Sequence, residues 1–219
     1  MIGMTTAQLP VERHVIEDLV MEMFEAVAVG VAVASAAFLL GDRESAREIV
    51  AADRHVDDLM ATLESMAEAG LVGTDLLDRH DRRLLVYVLR TAPELERSAD
   101  LIEHIALRTP QRLVELISDD ARELVAEMAS IATSMWRDAA DGFEARDSSV
   151  GARLRVRDQD LDDLHVDLTE ELAASACGTA VAIEMGLVAR FYERLGDHAV
   201  NVAHRVTSLA PRPAEPSVA

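Results

Sequence analysis

The chain of 219 residues is long enough to form one or two domains with a substantial buried core. Half of its residues are hydrophobic but only 3% are aromatic, a composition that favours long packed helices over sheets. Its formal net charge of −19 excludes a general nucleic-acid surface, because phosphate binding needs clustered Lys and Arg, and favours a metal cation or a basic partner instead.

The first predicted helix, 10–40, contains the uncharged stretch "AVAVGVAVASAAFLL" from Ala26 to Leu40. Its 15 residues fall short of the roughly 20 that cross a bilayer, so we interpret it as a buried helix of a bundle and not as a membrane span. The opening residues show no basic region followed by an apolar one, so we expect no signal peptide. Cys177 is the only cysteine, which excludes an intramolecular disulfide.

Breaks in the apolar pattern divide the rest of the chain into five further helices. The segments "LLGDRES" and "EARDSSVG" each end one apolar stretch and supply Asp or Ser caps for the next, and Pro110 suits a first helical turn. The predicted helices are 43–69, 75–107, 111–146, 149–175 and 179–209. The segment 211–219 contains three prolines and is predicted to be disordered.

The second half of the sequence repeats the first. A shift of 105 residues brings "FLLGDRESAREIVAADRHVDDLM" over "FEARDSSVGARLRVRDQDLDDLH", and a shift of 97 brings "ELERSADLIEHIALR" over "FYERLGDHAVNVAHR". The second half therefore has a connection that is eight residues shorter. This repetition predicts an all-α fold of two tandem three-helix bundles, with residues 1–109 and 110–210 as the two domains and 211–219 as a tail.

Each half carries two pairs of carboxylates spaced four residues apart, which places both members of a pair on one helix face. The pairs are Asp53 with Asp57, Glu96 with Asp100, Asp158 with Asp162, and Glu193 with Asp197. One such pair alone is more often a solvated surface feature. Four pairs in repeat register, two of them embedded in apolar sequence, favour oxygen-rich sites for Mg, Mn, Fe or Zn between neighbouring helices.

The stretch "FYERLGDHAVNVAHRV", residues 191–206, resembles the signature of the PhoU family of phosphate-transport regulators. A weaker copy, "ELERSADLIEHIA", lies where the first occurrence is expected, so the resemblance covers nearly the whole chain. The resemblance implies two three-helix bundles, each able to hold a multinuclear iron or other metal site. It also implies a cytoplasmic negative regulator, not an enzyme, that forms a homodimer and acts with a phosphate ABC transporter and a sensor histidine kinase.

The same resemblance assigns the metal ligands residue by residue. In the second repeat it implies Glu193 and Asp197, with Asp158 and Asp162 beside them. In the first repeat it implies Glu96 and Asp100, with Asp53 and Asp57 beside them.

The first copy departs from the pattern at several positions. Ser98 and Ala99 replace the Leu-Gly of the second copy, and His104 stands in place of Asn201, either as an added ligand or as a partner at a helix interface. Pro93 removes a backbone donor within the third predicted helix, so we expect that helix to kink or restart just before the first carboxylate pair.

Histidine and arginine residues also accompany the second copy. His198 is adjacent to Asp197 in sequence but about 100° away around the helix, so we interpret it as a residue that supports the site or faces a partner. Arg97 and Arg194 recur beside the carboxylates, where they would pair with those acids or with phosphate, or form solvated salt bridges.

Three other functions remain open from the residues alone. A di-metal carboxylate oxidase or hydrolase would need acid-x-x-His motifs, and only Asp162 with His165 provides one on a paired carboxylate. A structural bundle with vestigial sites would be fully active without metal. A PhoU-like paralogue would regulate a different transporter or kinase.

Overall fold

The computed structural model describes residues 13–72 and 78–209, and within them the fold consists of helices without a β-strand. The six α-helices are α1 (Arg13–Leu40), α2 (Arg43–Val72), α3 (Arg79–Ala106), α4 (Asp119–Glu144), α5 (Val150–Ala174) and α6 (Thr179–Val206). Two short 3-10 turns, Thr109–Gln111 and Leu113–Glu115, join α3 to α4. The predicted all-α fold of two tandem three-helix bundles is therefore confirmed.

The predicted helix ends that lie within the described residues agree with the structure to within three residues, with one exception. Helix α4 begins at Asp119 and not at 111, because Ser118 adopts an extended conformation and its Oγ accepts a hydrogen bond from the N–H of Ala121 at 3.1 Å. Pro110 lies in the first of the 3-10 turns instead. The predicted disordered tail lies outside the described residues, and the predicted domain division at 109/110 stays a prediction.

Helices α1 and α4 end in the same way, which shows the repeat at the level of single hydrogen bonds. Gly41 and Arg146 follow the two helices in the left-handed region, at φ 72° and 54°. The next residue in each repeat then donates back to the helix, Asp42 to the carbonyl of Ala37 and Asp147 to that of Gly142, both at 2.9 Å. The carboxylates of Asp42 and Asp147 accept N–H groups from the start of α2 and α5, so each corner is closed from both sides.

Equivalent helices of the two repeats meet at the centre of the molecule. Helix α1 packs against α4 and α3 packs against α6, while α2 packs mainly against α1 and α3, and α5 mainly against α4 and α6. An aromatic cluster fills the centre, where the ring of Phe143 stacks on Phe24 at 5.5 Å and on Tyr87 at 5.3 Å between centroids. One continuous hydrophobic core therefore extends through both bundles.

Helix α1 is an interior helix of this core, as the sequence predicts. Among the described helices it is the one that is long and apolar enough to cross a membrane by length and composition. More than half of its most apolar stretch is nevertheless buried inside the protein. Val27, Val31 and Ala34 are fully buried against the other helices.

Helix α3 runs unbroken through Pro93, so of the predicted kink or restart before Glu96 the restart is wrong, whereas the kink stays a prediction. Pro93 cannot donate a backbone hydrogen bond, but this turn gains another partner, because Arg205 of α6 donates to the carbonyl of Arg90 and to Glu94 Oε1. The turn at Pro93 is thus attached to α6 by tertiary hydrogen bonds.

Substitution of Gly41 by alanine should lower the free energy of unfolding by about 1 kcal/mol, because a Cβ is unfavourable in the left-handed region. The added methyl would meet no atom within 4 Å, so the cost comes from the backbone alone. The matched control is Gly186→Ala within α6, where a Cβ also has open space but the backbone is helical. We expect that change to stabilise the protein by about 0.5–1 kcal/mol. Urea unfolding of the two variants measures both effects, and equal signs would contradict the assignment of Gly41.

Candidate metal centres in the two bundles

The four predicted ligands of the second repeat lie along the contact between α5 and α6. We call them the second quartet: Asp158, Asp162, Glu193 and Asp197. Asp158 and Glu193 are half-buried, whereas Asp162 and Asp197 are exposed at the edge of the same contact. The two i, i+4 pairs of the sequence thus meet across a helix pair, with one inner and one outer carboxylate on each helix.

The inner carboxylates of the second quartet are held in an environment that disfavours their charge. Burial, and then the carboxylates of Asp197, Asp162 and Glu193, raise the pKa of Asp158 to about 6. Burial also raises the pKa of Glu193, although the neighbouring Arg190 opposes this shift. A bound cation would remove this repulsion, so the site is electrostatically suited to one.

Gly196 provides the space for the inner carboxylate. A Cβ at this position would lie 2.6 Å from Asp158 Oδ1 and 2.7 Å from Leu161 Cδ2, closer than non-bonded contacts allow. Glycine costs about 1 kcal/mol relative to alanine within a helix, and the close approach of α5 explains why it is used here. In the first repeat Ala99 occupies the corresponding position.

The first quartet comprises Asp53, Asp57, Glu96 and Asp100, along the contact between α2 and α3. Three of its members are half-buried, and only Asp57 is exposed. Burial, and then the carboxylates of Glu103, Asp57 and Asp100, raise the pKa of Asp53 to about 6. Burial together with Asp100 and Asp57 also raises the pKa of Glu96. The structure therefore places the eight predicted ligands along two equivalent helix contacts, within range of each other's charge.

Each quartet has one further candidate ligand that the repeat does not share and that was not among the predicted ligands. Among the charged groups, Glu103 raises the pKa of Asp53 the most. The residue equivalent to Glu103 in the second repeat, at a shift of 97, is Val200. His165 lies close enough to Glu193 to affect its pKa, and a shift of 105 places it on Met60. The spacing of three residues from Asp100 and from Asp162 was the available signal, because it places both side chains on the same helix face.

His104 lies at the interface between the repeats. Its Nδ1 donates to the carbonyl of Asp100 at 2.7 Å, and its ring meets Phe191 of α6 edge-on, with centroids 5.5 Å apart. Of the two roles that the sequence leaves open, these contacts support that of an interface partner.

The donor chemistry of the quartets suits hard or borderline cations, which prefer carboxylate oxygen, with an imidazole adding affinity for Fe, Zn and Mn at the second quartet. Within residues 13–72 and 78–209, however, no three carboxylate, imidazole or thiol groups converge closely enough to hold a metal ion in the observed side-chain conformations. The outer carboxylates would have to turn inward on binding. The metal therefore stays a prediction.

A buried polar cluster orients α3 and α6 with respect to the quartets. The Ser98 hydroxyl donates to the carbonyl of Glu94 at 2.6 Å, which leaves its oxygen to accept from His198 Nδ1 at 3.0 Å. Burial lowers the pKa of His198, although the carboxylate of Glu94 opposes this shift. Burial disfavours ionised Glu94, but the hydrogen bond from Arg205 and the nearby His198 and Arg97 together outweigh it and lower the pKa of that carboxyl. His198 thus packs against α3, away from the second quartet.

Taken together, the fold and its sites define an all-α protein of two repeated three-helix bundles, each with a carboxylate quartet between its second and third helix. The chain matches the PhoU domain family over residues 20–109 and 125–206. The protein therefore belongs to the PhoU family.

Relatives agree with this assignment, and solved structures share the fold. The phosphate-specific transport system accessory protein PhoU homolog 2 of Mycobacterium tuberculosis is 29% identical over 79% of this chain and 82% of its own. The crystal structure of PhoU from Pseudomonas aeruginosa superposes with a TM-score of 0.82 at 21% identity, over 90% of this chain and 95% of that one. The phosphate transport system regulatory protein PhoU from Streptococcus pneumoniae superposes with a TM-score of 0.78 at 20% identity, over 90% and 94%.

The free energy of unfolding of the metal-free protein should rise as the pH falls from about 7 to about 5. The pKa of Asp53 and of Asp158 is about 6 in the folded state, above the ordinary 3.8, so the folded state binds more protons in this window. The free energy of unfolding therefore decreases as the pH rises through this window. On acidification it increases until Asp53 and Asp158 are protonated in the unfolded state as well.

Thermal unfolding in the presence of a chelator measures this dependence. Asp158→Asn should weaken it, whereas Asp160→Asn, at an exposed position on the same helix, should leave it unchanged. A metal-free protein that becomes more stable from about pH 5 to about pH 7 would contradict the assignment of the raised pKa values.

Proposed function

We propose that this protein is a metal-binding, cytoplasmic negative regulator of phosphate uptake and of phosphate-starvation signalling. It acts as a homodimeric adaptor to a phosphate ABC transporter and a sensor histidine kinase. The supporting observation is the pair of carboxylate quartets at equivalent positions of a PhoU-family repeat. The names of its relatives as phosphate-transport accessory and regulatory proteins supply the physiological context.

The quartets supply the ligands for the metal, either an iron cluster or single ions of Fe, Zn, Mn or Mg. In the second repeat Asp158 and Glu193 would bind from the inner side, and Asp162 and Asp197 from the outer side. In the first repeat Asp53 and Glu96 would bind from the inner side, with Asp57 and Asp100. A bound metal would connect α2 to α3 and α5 to α6 and would turn an acidic surface into one that can accept an anionic partner group.

An adaptor role accounts for these features better than a di-metal enzyme. Ferritin-like enzymes draw Glu-x-x-His motifs from two helices of one site. Here His165 lies near Glu193, but the histidine beside Asp197 packs against α3 instead. The relatives are named as accessory and regulatory proteins. With a net charge of −19, the chain is repelled by anionic lipids, so contact with a membrane would go through the transporter.

Metal content provides the direct test of the quartets. Elemental mass spectrometry of protein purified without added metal should find near-stoichiometric iron, manganese or zinc. Asp197→Ala should lower this content, because it removes a carboxylate from the second quartet. The control Asp160→Ala removes the same charge from an exposed position on α5 and should have no effect. Equal metal content in both variants, or none after anaerobic reconstitution, would exclude metal binding by the second quartet.

The regulatory role has its own test in cells. In a strain of the source organism that lacks this protein, phosphate uptake should remain high in phosphate-rich medium. Wild-type protein should restore repression, and a variant with both Asp100→Ala and Asp197→Ala should not, if metal binding is required. Normal repression in the absence of the protein would assign the regulation of phosphate uptake to another component and favour a paralogue role.

A further inference from the structure

A cavity of about 270 Å³ opens at the end of the molecule where α1 and α3 begin and α4 ends. Its charged lining consists of Arg13 and Glu17 from α1, His80 and Arg83 from α3, and Arg146 from the corner between α4 and α5. Three arginines thus surround one cavity in a chain whose net charge is −19. None of these residues belongs to a quartet.

Arg146 adopts a backbone conformation that favours glycine. The equivalent residue of the first repeat is Gly41, and both lie in the left-handed region, at φ 54° and 72°. The second repeat therefore retains an arginine where glycine would fit without strain. Its guanidinium packs on the ring of Phe143 and pairs with Glu17 through Nη2, while Nη1 is buried without a hydrogen-bond partner.

The start of α3 violates a second local preference. Its first five residues include Arg79, His80, Arg82 and Arg83, although the positive end of the helix dipole disfavours cations there. Departures from local preference are expected where a site has a function. Both departures, at Arg146 and at the start of α3, converge on the same cavity.

The ion pairs around the cavity leave one of its arginines available. Arg13 is engaged by Asp81 at 2.7 Å and by Asp78 at 3.3 Å, and Arg146 is engaged by Glu17. Arg83 is half-buried and forms no ion pair or hydrogen bond with any residue in the described part of the chain. Among the described residues, a ligand in the cavity would therefore find one guanidinium that no carboxylate engages, Arg83, and a second with an unused donor, Arg146.

We propose that this cavity binds a small tetrahedral dianion, of which inorganic phosphate is the probe. Guanidinium groups match the oxygens of such an ion in paired hydrogen bonds. The cavity volume lies just below the range of about 300–1,000 Å³ typical of sites for organic ligands, so an ion fits better than a nucleotide. The site stands on its own geometry, independent of the metal and of the proposed adaptor role.

Calorimetric titration of the full chain with potassium phosphate, in the presence of a chelator, tests the proposal. The chelator removes metal ions that would themselves bind phosphate at the quartets. We expect saturable binding of one phosphate per chain, and no heat beyond dilution from potassium chloride at matched ionic strength. Sulfate should compete, because it has the same shape and charge.

Two variants and one matched control locate the site. Arg83→Gln and Arg146→Gly should each weaken phosphate binding about tenfold or more, and glycine keeps the backbone at 146 unstrained. The control is Arg112→Gly, which also removes an arginine from the left-handed region, at φ 53°, but outside the cavity. It should bind phosphate as the wild type does.

Three results would overturn the proposal. They are the absence of saturable binding in the wild type with or without chelator, binding that both cavity variants retain, and binding that is seen only when the chelator is omitted. The last result would assign the phosphate to metal at the quartets. Because the titration is performed without metal, its failure would leave the test of metal content unaffected.

Discussion

The contact between α3 and α6 is the constraint on which both candidate metal centres depend. Glu94 and Ser98 face α6 and are fixed there by Arg205 and His198. Glu96, two residues beyond Glu94, lies about 200° further around the helix and therefore points away from α6 toward α2. A buried charged group is costly unless it is paired, so this cluster is satisfied in essentially one arrangement of the two helices. The polar contact between the repeats thereby sets the direction in which the carboxylates of α3 point.

The quartets themselves oppose stability in the absence of a cation. Three features each lower the free energy of unfolding, and a bundle with a purely structural role would avoid them. They are the inner carboxylates with a raised pKa, the outer carboxylates one turn away, and the glycine in the middle of α6. The continuous core of the two bundles carries this cost, because α1 and α4 are packed almost entirely with apolar side chains. The apolar core therefore supplies the stability, and the unfavourable repulsion between carboxylates is confined to the contacts of α2 with α3 and of α5 with α6.

Most of the fold follows from the sequence, because apolar periodicity is local along the chain and the internal repetition is visible when the two halves are compared directly. The i, i+4 spacing also predicted that these eight carboxylates would lie on the helix faces where α2 meets α3 and α5 meets α6, whereas their role as metal ligands stays a prediction. Glu103 was missed as a candidate ligand because it does not recur in the other repeat, and a search guided by repetition passes over it. His165 was considered only as part of the acid-x-x-His motif of a di-metal enzyme and was not assigned to the metal site. The start of α4 was placed too early although Ser118 is a strong cap, and the restart expected at Pro93 does not occur in a turn that Arg205 contacts from more than 100 residues away. Contacts of that range cannot be read from local propensity.

The two repeats resemble the subunits of a symmetric dimer, but they are joined in one chain. In a true dimer a substitution appears on both sides at once, so the two faces must remain identical. Here Gly41 and Arg146, or Val200 and Glu103, hold equivalent places with different chemistry. Because the two repeats lie in one chain, each can carry its own substitutions. The molecule is therefore asymmetric, and its two ends and two faces differ chemically. A partner that docks on it can therefore do so in a single orientation, which two identical halves would never permit.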